Sequence, residues 1–388
     1  MGAVSAEELA KIVYLDPAAA GGRSILMMPF WDGSAWHLWT EAPPGSILKL
    51  QIVDAIHSNY VAKQPARETD ILIEFIHRMW QQANWPAVSK LILAIQDDFH
   101  LLATSVAKLR HFFENRDKID QALITSFVKT ELEYLITVAR SVFDLLQEAL
   151  ATIWNTQIIL LDPAQEAIRK KHKLPPTFTK MAIEGRNTPK SIEELTTKYA
   201  IPTLLAEQYD RIAPFYLSLL KVRDKIIHGG GSVDMIFATE KGFCVEREAK
   251  AFADFEWKPQ HSYNEALVSL LPWVAHVVFG TIQACNDIMR AFGSGIVMSP
   301  EIAPGYNIYI RDPANVAILQ LAKVCSENLV WWSDMTKSPK AAADQEIADA
   351  ILPSKTEVSF WSKATIRKLW HWGESLLSTK KRAPKDAL

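Results

Sequence analysis

The chain has 388 residues, enough for two or three domains, and 49% are hydrophobic against 22% charged, a globular balance that excludes a disordered or fibrous protein. A formal net charge of −2 gives no overall pull toward nucleic acid or anionic membrane, so any anion site has to be local. Cys244, Cys285 and Cys325 form no Cys-x-x-Cys pair, which disfavours a disulfide framework or a zinc finger and makes a reducing cytoplasm the expected setting.

The N-terminus lacks a basic stretch followed by an apolar run, so no signal peptide is expected there. Residues 24–41 read as a β-hairpin around Asp32-Gly33, with Pro29 pointing to an edge strand. Helical spacing then takes over, in segments 46–62 and 69–84. Pro86 suits the first turn of a long helix reaching Phe113, and a second long helix runs from Ile119 to Asn155. A short link between two such helices implies an antiparallel pair. Residues 156–190 lose periodicity and read as an irregular loop with one helical turn. Ser191-Ile-Glu-Glu194 is a capping box, Pro202 breaks the helix it starts, and a helix from Thr203 to His228 follows, kinked or restarted at Pro214.

Beyond the glycines at 229–231, residues 233–246 form a second expected hairpin, with Gly242 placed for a positive φ. A helix over 263–292, a strand at 306–310 and a helix over 313–332 follow. Residues 333–355 are linker-like, 357–377 make a last amphipathic helix, and a basic tail closes the chain. No apolar run reaches the ~18 residues a bilayer crossing needs, so no transmembrane segment is expected. The expected fold class is mainly α, an antiparallel helical bundle with two small β-hairpins. Its parts are 1–84 (hairpin plus helices), 85–292 (helical domain) and 293–388 (helical extension with basic tail).

The most informative stretch is Lys221-Val-Arg-Asp-Lys-Ile-Ile-His-Gly-Gly-Gly231. In structural terms, Gly229 suits the left-handed residue that ends a helix, and a protonated His228 in the last turn favours the negative end of the dipole. In functional terms, a histidine titrating near pH 6.5 can move a proton, and Arg223 can hold a phosphate through its planar donors. Together they suit RNA cleavage by the 2′-hydroxyl, with His228 handling the proton, Arg223 stabilising charge on phosphate oxygens, and no metal or other cofactor required. Five residues turn a helix through about 140°, so Arg223 and His228 do not stack, whereas Asp224 lies one turn before His228 and can orient its imidazole. One chain supplies one such pair, and a homodimer would supply two. Glu133, Arg140 and Asp144 line one edge of the preceding long helix. They read either as a solvated salt-bridged face or as a polar line toward the Arg223 helix.

A long helix bearing Glu133, Arg140 and Asp144, followed after a loop by Arg223-Asp-Lys-Ile-Ile-His228, resembles the HEPN domain superfamily over about residues 85–292. That resemblance implies an α-helical bundle with an R-x4–6-H motif near the end of its last core helix. It also implies a metal-independent endoribonuclease acting as a dimer, in a toxin–antitoxin or antiviral setting, with RNA as substrate and an antitoxin or other protein as partner. Arg223 and His228 match the two fixed positions, while the polar residue after the arginine, often Asn in the family, is Asp224 here. The alternative is a non-catalytic HEPN-like scaffold that binds a protein or nucleic acid.

Two further signals read as structural. Asp97-Asp98 with His100 could join Glu131 or Glu133 in a metal site, but a solvated helix face is the expectation. Trp361, Trp370 and Trp372 sit beside Lys363, Arg367 and Lys368, and the stripe of Val358, Trp361, Leu369, Trp372 and Leu376 is expected to dock on the protein itself or in a partner groove.

Overall fold

The computed structural model describes residues 4–42, 45–185, 187–228 and 236–336, with 223–228 described by backbone alone. In chain order the elements are α1 (Ala6–Leu9), β1 (Pro29–Trp31), β2 (Trp36–Glu41), β3 (Ile47–Ile52), β4 (Ser58–Ala62), α2 (Glu74–Gln82), α3 (Pro86–Glu114), α4 (Gln121–Thr156), α5 (Pro163–Lys171) and α6 (Phe178–Ala182). There follow β5 (Ile183–Glu184), β6 (Thr188–Pro189), α7 (Ile192–Tyr199), α8 (Thr203–His228), β7 (Phe237–Ala238), β8 (Phe243–Glu246), β9 (Leu267–Ser269), α9 (Leu271–Gly295), β10 (Asn307–Arg311), α10 (Asn315–Ser326) and α11 (Trp332–Thr336).

The expected helical bundle with two small hairpins is corrected by a five-stranded mixed sheet, in the order β10-β4-β1-β2-β3, accompanied by two smaller sheets. Residues 46–62, read as a helix, form β3 and β4. β3 is an edge strand on which Leu48 and Leu50 stay exposed, and β4 is buried at four consecutive positions. Neither shows a clean two-residue alternation, which is why helical spacing competed; six ladder pairs with β2 decide the outcome for β3. β1 is not at the edge. It lies between β2, antiparallel, and β4, parallel, and Pro29 is tolerated as the first residue of the strand.

The long helices fall where the periodicity placed them, and α8 runs through Pro214 without restarting. Residues 156–190 hold α5 and α6, each capped at its start by a side chain, Asp162 and Thr177. The segment 263–270, read as helix, instead supplies β9, which adds to β8. Gly242 does not take a positive φ; it is needed because a Cβ there would stand 2.5 Å from Cδ1 of Trp332. Residues 337–388, with the expected terminal helix and its Trp361, Trp370 and Trp372, lie outside the described residues, as do Gly229–Gly231 and Val233–Met235.

The chain divides into two compact units, one drawn from residues 1–101, 138–217 and 284–315, the other from 102–137, 218–283 and the described residues from 316 on. In the first, Trp36, Ala55, Tyr60, Ala62 and Tyr309 pack on one face of the five-stranded sheet. Among its helices Phe143, Phe178 and Tyr216 form a second cluster, with Phe178 and Tyr216 ring centroids 4.6 Å apart. In the second unit Phe113 and Trp332 both pack edge-on against Phe243. No described helix is long and apolar enough to cross a membrane.

Candidate functional site

Helix α8 ends on His228, so Arg223 and Asp224 lie in its last two turns; the side chains of all three are outside the described residues. Arg140 and Asp144 belong to the first unit, and Glu133, Arg223, Asp224 and His228 to the second. The edge of α4 at Arg140 and Asp144 is half-buried, not solvated. Asp144 Oδ1 accepts the Phe178 N–H at 2.9 Å, which fixes the start of α6 to α4. Tyr216 takes hydrogen bonds with Arg140 and with Thr179 Oγ1, the latter at 2.8 Å. Burial pushes the Tyr216 phenol up, with the Asp144 charge adding to it and the Thr179 and Arg140 bonds opposing. Arg140 and Asp144 thus converge on one tyrosine of α8, a tie that orients α4, α6 and α8.

A second polar cluster was not foreseen. His57, His100 and Asp312 come from positions far apart in sequence, and their candidate ligand atoms all lie within 4.8 Å of one another. Strand register explains the meeting. Arg311 of β10 pairs with Ser58 of β4, so one step further along the antiparallel ladder sets Asp312 opposite His57. His57 ends the β3–β4 connection at φ 52°, in the left-handed region that histidine enters more readily than most residues. From α3, His100 completes the group. It is buried, so the expectation of a solvated face at 97–100 is corrected on this side; Asp97 alone stays exposed.

Both imidazoles address one oxygen. Nδ1 of His57 lies 2.5 Å from Asp312 Oδ2 and Nδ1 of His100 lies 2.8 Å from it, while Oδ1 accepts the Ala314 N–H at 2.6 Å. Burial alone would raise the Asp312 carboxyl. The bonds from His100, Ala314 and His57 outweigh that and hold it below the usual carboxylate range. The side chains of His100 and Asp312 are each 4% exposed, and that of His57 is 66% exposed, so the cluster opens to solvent on one side only.

More polar atoms gather there than the protein satisfies. Nε2 of His100 is buried without a hydrogen-bond partner, as is Oε1 of Gln96, one turn earlier on the same face of α3. Both amide atoms of Asn59 are buried without a partner as well. Asn59 pairs with Ile310, so strand alternation puts it on the sheet face that carries His57 and Asp312.

The opposite alternation puts Arg311 on the other face. There its guanidinium lies 4.9 Å from the Trp36 ring centroid and bonds Asp54 at 3.0 Å. With Trp31, Gln51 and Arg67 these residues line a cleft of about 650 Å3. His57 and Asp312 carry no local sequence signal, because only the register of β4 and β10 brings them together. His100 could be found in sequence, but its partner could not.

No family model, curated protein or solved structure matches the chain.

Proposed function

We propose that the chain is a HEPN-like RNA-cleaving protein whose reacting groups are Arg223 and His228. The observation that supports this most directly is that α8 spans Thr203–His228, so Arg223 and His228 belong to its last two described turns, ahead of the glycine run in sequence. Backbone carbonyls without intrahelical partners give that helix end a negative potential, which favours the imidazolium and keeps a proton available for a leaving 5′-oxygen. Arg223 then carries the phosphate charge, and Asp224, one turn before His228, orients its ring. A second copy of the chain supplies the second Arg–His pair. Three buried free cysteines fit the cytoplasmic setting in which a toxin or phage-defence ribonuclease acts.

The test is incubation of the purified chain with mixed RNA in excess chelator. Cleavage is expected to persist in chelator and to fall at least 100-fold in His228→Ala, with the thermal midpoint within about 2 °C of wild type. If the variant cleaves as well as the parent, or only its stability changes, the helix end is structural and the chain is the non-catalytic scaffold.

A further inference from the structure

We propose that His57, His100 and Asp312 bind one divalent first-row transition-metal ion, with His57 on its solvent side and Asn59 and Gln96 holding the water that completes its shell.

The donor set comes first. Two imidazole nitrogens and a carboxylate oxygen suit Zn2+, Co2+, Ni2+ or Fe2+ and disfavour Mg2+ and Ca2+, which take oxygen donors. The three side chains come from a strand connection, a helix and a strand end, and each of these elements is fixed independently of the cluster. Asp312 is held by its own Oδ1 bond to Ala314, so Oδ2 keeps its place whether or not an ion is present.

Spacing comes second. Around a zinc ion with bonds near 2.1 Å, neighbouring donors stand about 3.4 Å apart. The two Nδ1–Oδ2 separations here, 2.5 and 2.8 Å, are hydrogen-bond distances, so an ion entering must displace protons from Nδ1 and open the group by about 1 Å or less. His57 is the side chain free to do so, being the exposed one. Its displaced proton has a destination, since Nε2 of an exposed ring can carry it.

The third observation is independent of the cluster's internal bonds. Buried polar atoms rarely go without partners, and those that do call for bound water or an ion. Here Nε2 of His100, Oε1 of Gln96 and both amide atoms of Asn59 are all buried and unsatisfied, on the helix face and sheet face that meet at the cluster. A purely structural His–Asp–His group explains the bonds to Asp312 and leaves these four atoms unexplained. An ion with ordered water accounts for them together: metal-bound water donates to Asn59 Oδ1 and Gln96 Oε1, and a further ordered water accepts from Asn59 Nδ2 and from His100 Nε2, which takes the ring proton once Nδ1 binds the ion. Three protein donors with open positions is also the arrangement of sites at which bound water reacts, as opposed to closed structural sites. This site is independent of the α8 reading, in which no metal takes part.

The experiment uses the full chain stripped of metal by chelator and dialysed, then titrated with Zn2+ and with Co2+. One ion per chain is expected. The Co2+ form should show visible d–d bands without a thiolate charge-transfer band, and the thermal midpoint should rise with ion concentration. His57→Ala, which loses one bond to Asp312 and sets alanine at a left-handed φ, should lower the metal-free midpoint by several degrees but still fold, while weakening binding at least 100-fold. His100→Gln should abolish binding; should that variant fail to fold, His57→Ala alone decides. No uptake by wild type, undiminished uptake by His57→Ala, or a thiolate band that assigns the ion to a cysteine would each overturn the proposal.

Discussion

On the five-stranded sheet, β4 and β10 bring Asp70, Arg311 and Asp312 under cover, each more than nine-tenths buried, and Asp54 closes over Arg311 from the side. On the β7–β8–β9 sheet the buried positions are Phe243, Cys244, Val245, Val268 and Ser269, and the one hydroxyl among them is satisfied by the Val330 carbonyl. Burial pushes the Cys244 thiol up to about 11, which keeps it neutral and inert. Charges buried in pairs contribute little net stability once their desolvation is counted, whereas aromatic burial contributes several kcal/mol per ring. The three-stranded sheet therefore holds its part of the fold together, and the polar set on β4 and β10 fits a task beyond holding strands in place.

The largest effect that would sharpen this contrast is expected at Trp332. The ring is fully buried, packs edge-on against Phe243 and fills the space over Gly242. Trp332→Ala should cost about 3–5 kcal/mol in urea unfolding. Its indole N–H is buried without a partner, so Trp332→Phe loses volume but also removes an unsatisfied donor and should cost less than half as much. Equal losses in the two variants would mean that packing does not carry the stability of this sheet.

Acid should act on both sheets alike. His77 is pushed down to about 4 by burial and by Arg78, and His261 to about 4 by burial, Lys258 and Arg247. Each ring accepts a backbone N–H on Nδ1 at 3.2 Å, from Ile308 and from Lys258, so each must stay neutral to keep its bond. Both folded values lie below the unfolded value near 6.5, so the unfolded chain takes up protons first as pH falls. This contribution is whole above pH 6.5, is lost between 6.5 and about 4, and is flat below. Each site contributes at most about 3 kcal/mol, and nearer 1–2 after solvent screening. Unfolding midpoints at pH 7 and pH 5 measure the loss, and His77→Asn or His261→Asn, which keep an acceptor that does not titrate, should each remove about a third of it, with the buried His276, also pushed down to about 4, carrying the rest.

What was legible follows from where the information lies. The long helices α3, α4 and α8 announce themselves over many turns, and Pro86 and Ser191 mark starts that the structure keeps, Ser191 Oγ accepting the Glu194 N–H. β3 and β4 were lost because one is an exposed edge and the other is buried on both faces, so neither alternates. The Arg223–His228 stretch stands out as a candidate because its residues are contiguous. The pairing of His57 with Asp312 spans 255 positions and depends on a strand register that no local pattern encodes.

The smallest effect probes the polar sheet directly. Tyr60 is fully buried; its hydroxyl donates to Asp70 Oδ2 at 2.7 Å and accepts the Ala66 N–H at 2.7 Å. Tyr60→Phe keeps the ring against Trp36 and Tyr309 but leaves a carboxylate and a backbone donor short of a partner, for a cost of about 1–2 kcal/mol at neutral pH. The cost should depend on pH with a definite sign. Burial raises the Asp70 carboxyl above its ordinary value against the pull of Tyr60, Arg311 and Arg67. A carboxyl raised in the folded state favours folding while it is protonated, and that contribution is lost as pH rises through its folded value. Removing the Tyr60 bond raises it further, so the deficit of the variant relative to wild type should be larger at pH 7 than at pH 4.5, with the histidine contributions cancelling between the two proteins. A deficit independent of pH would mean that Asp70 never carries its charge in the folded chain, and that Arg311 is held by Asp54 alone.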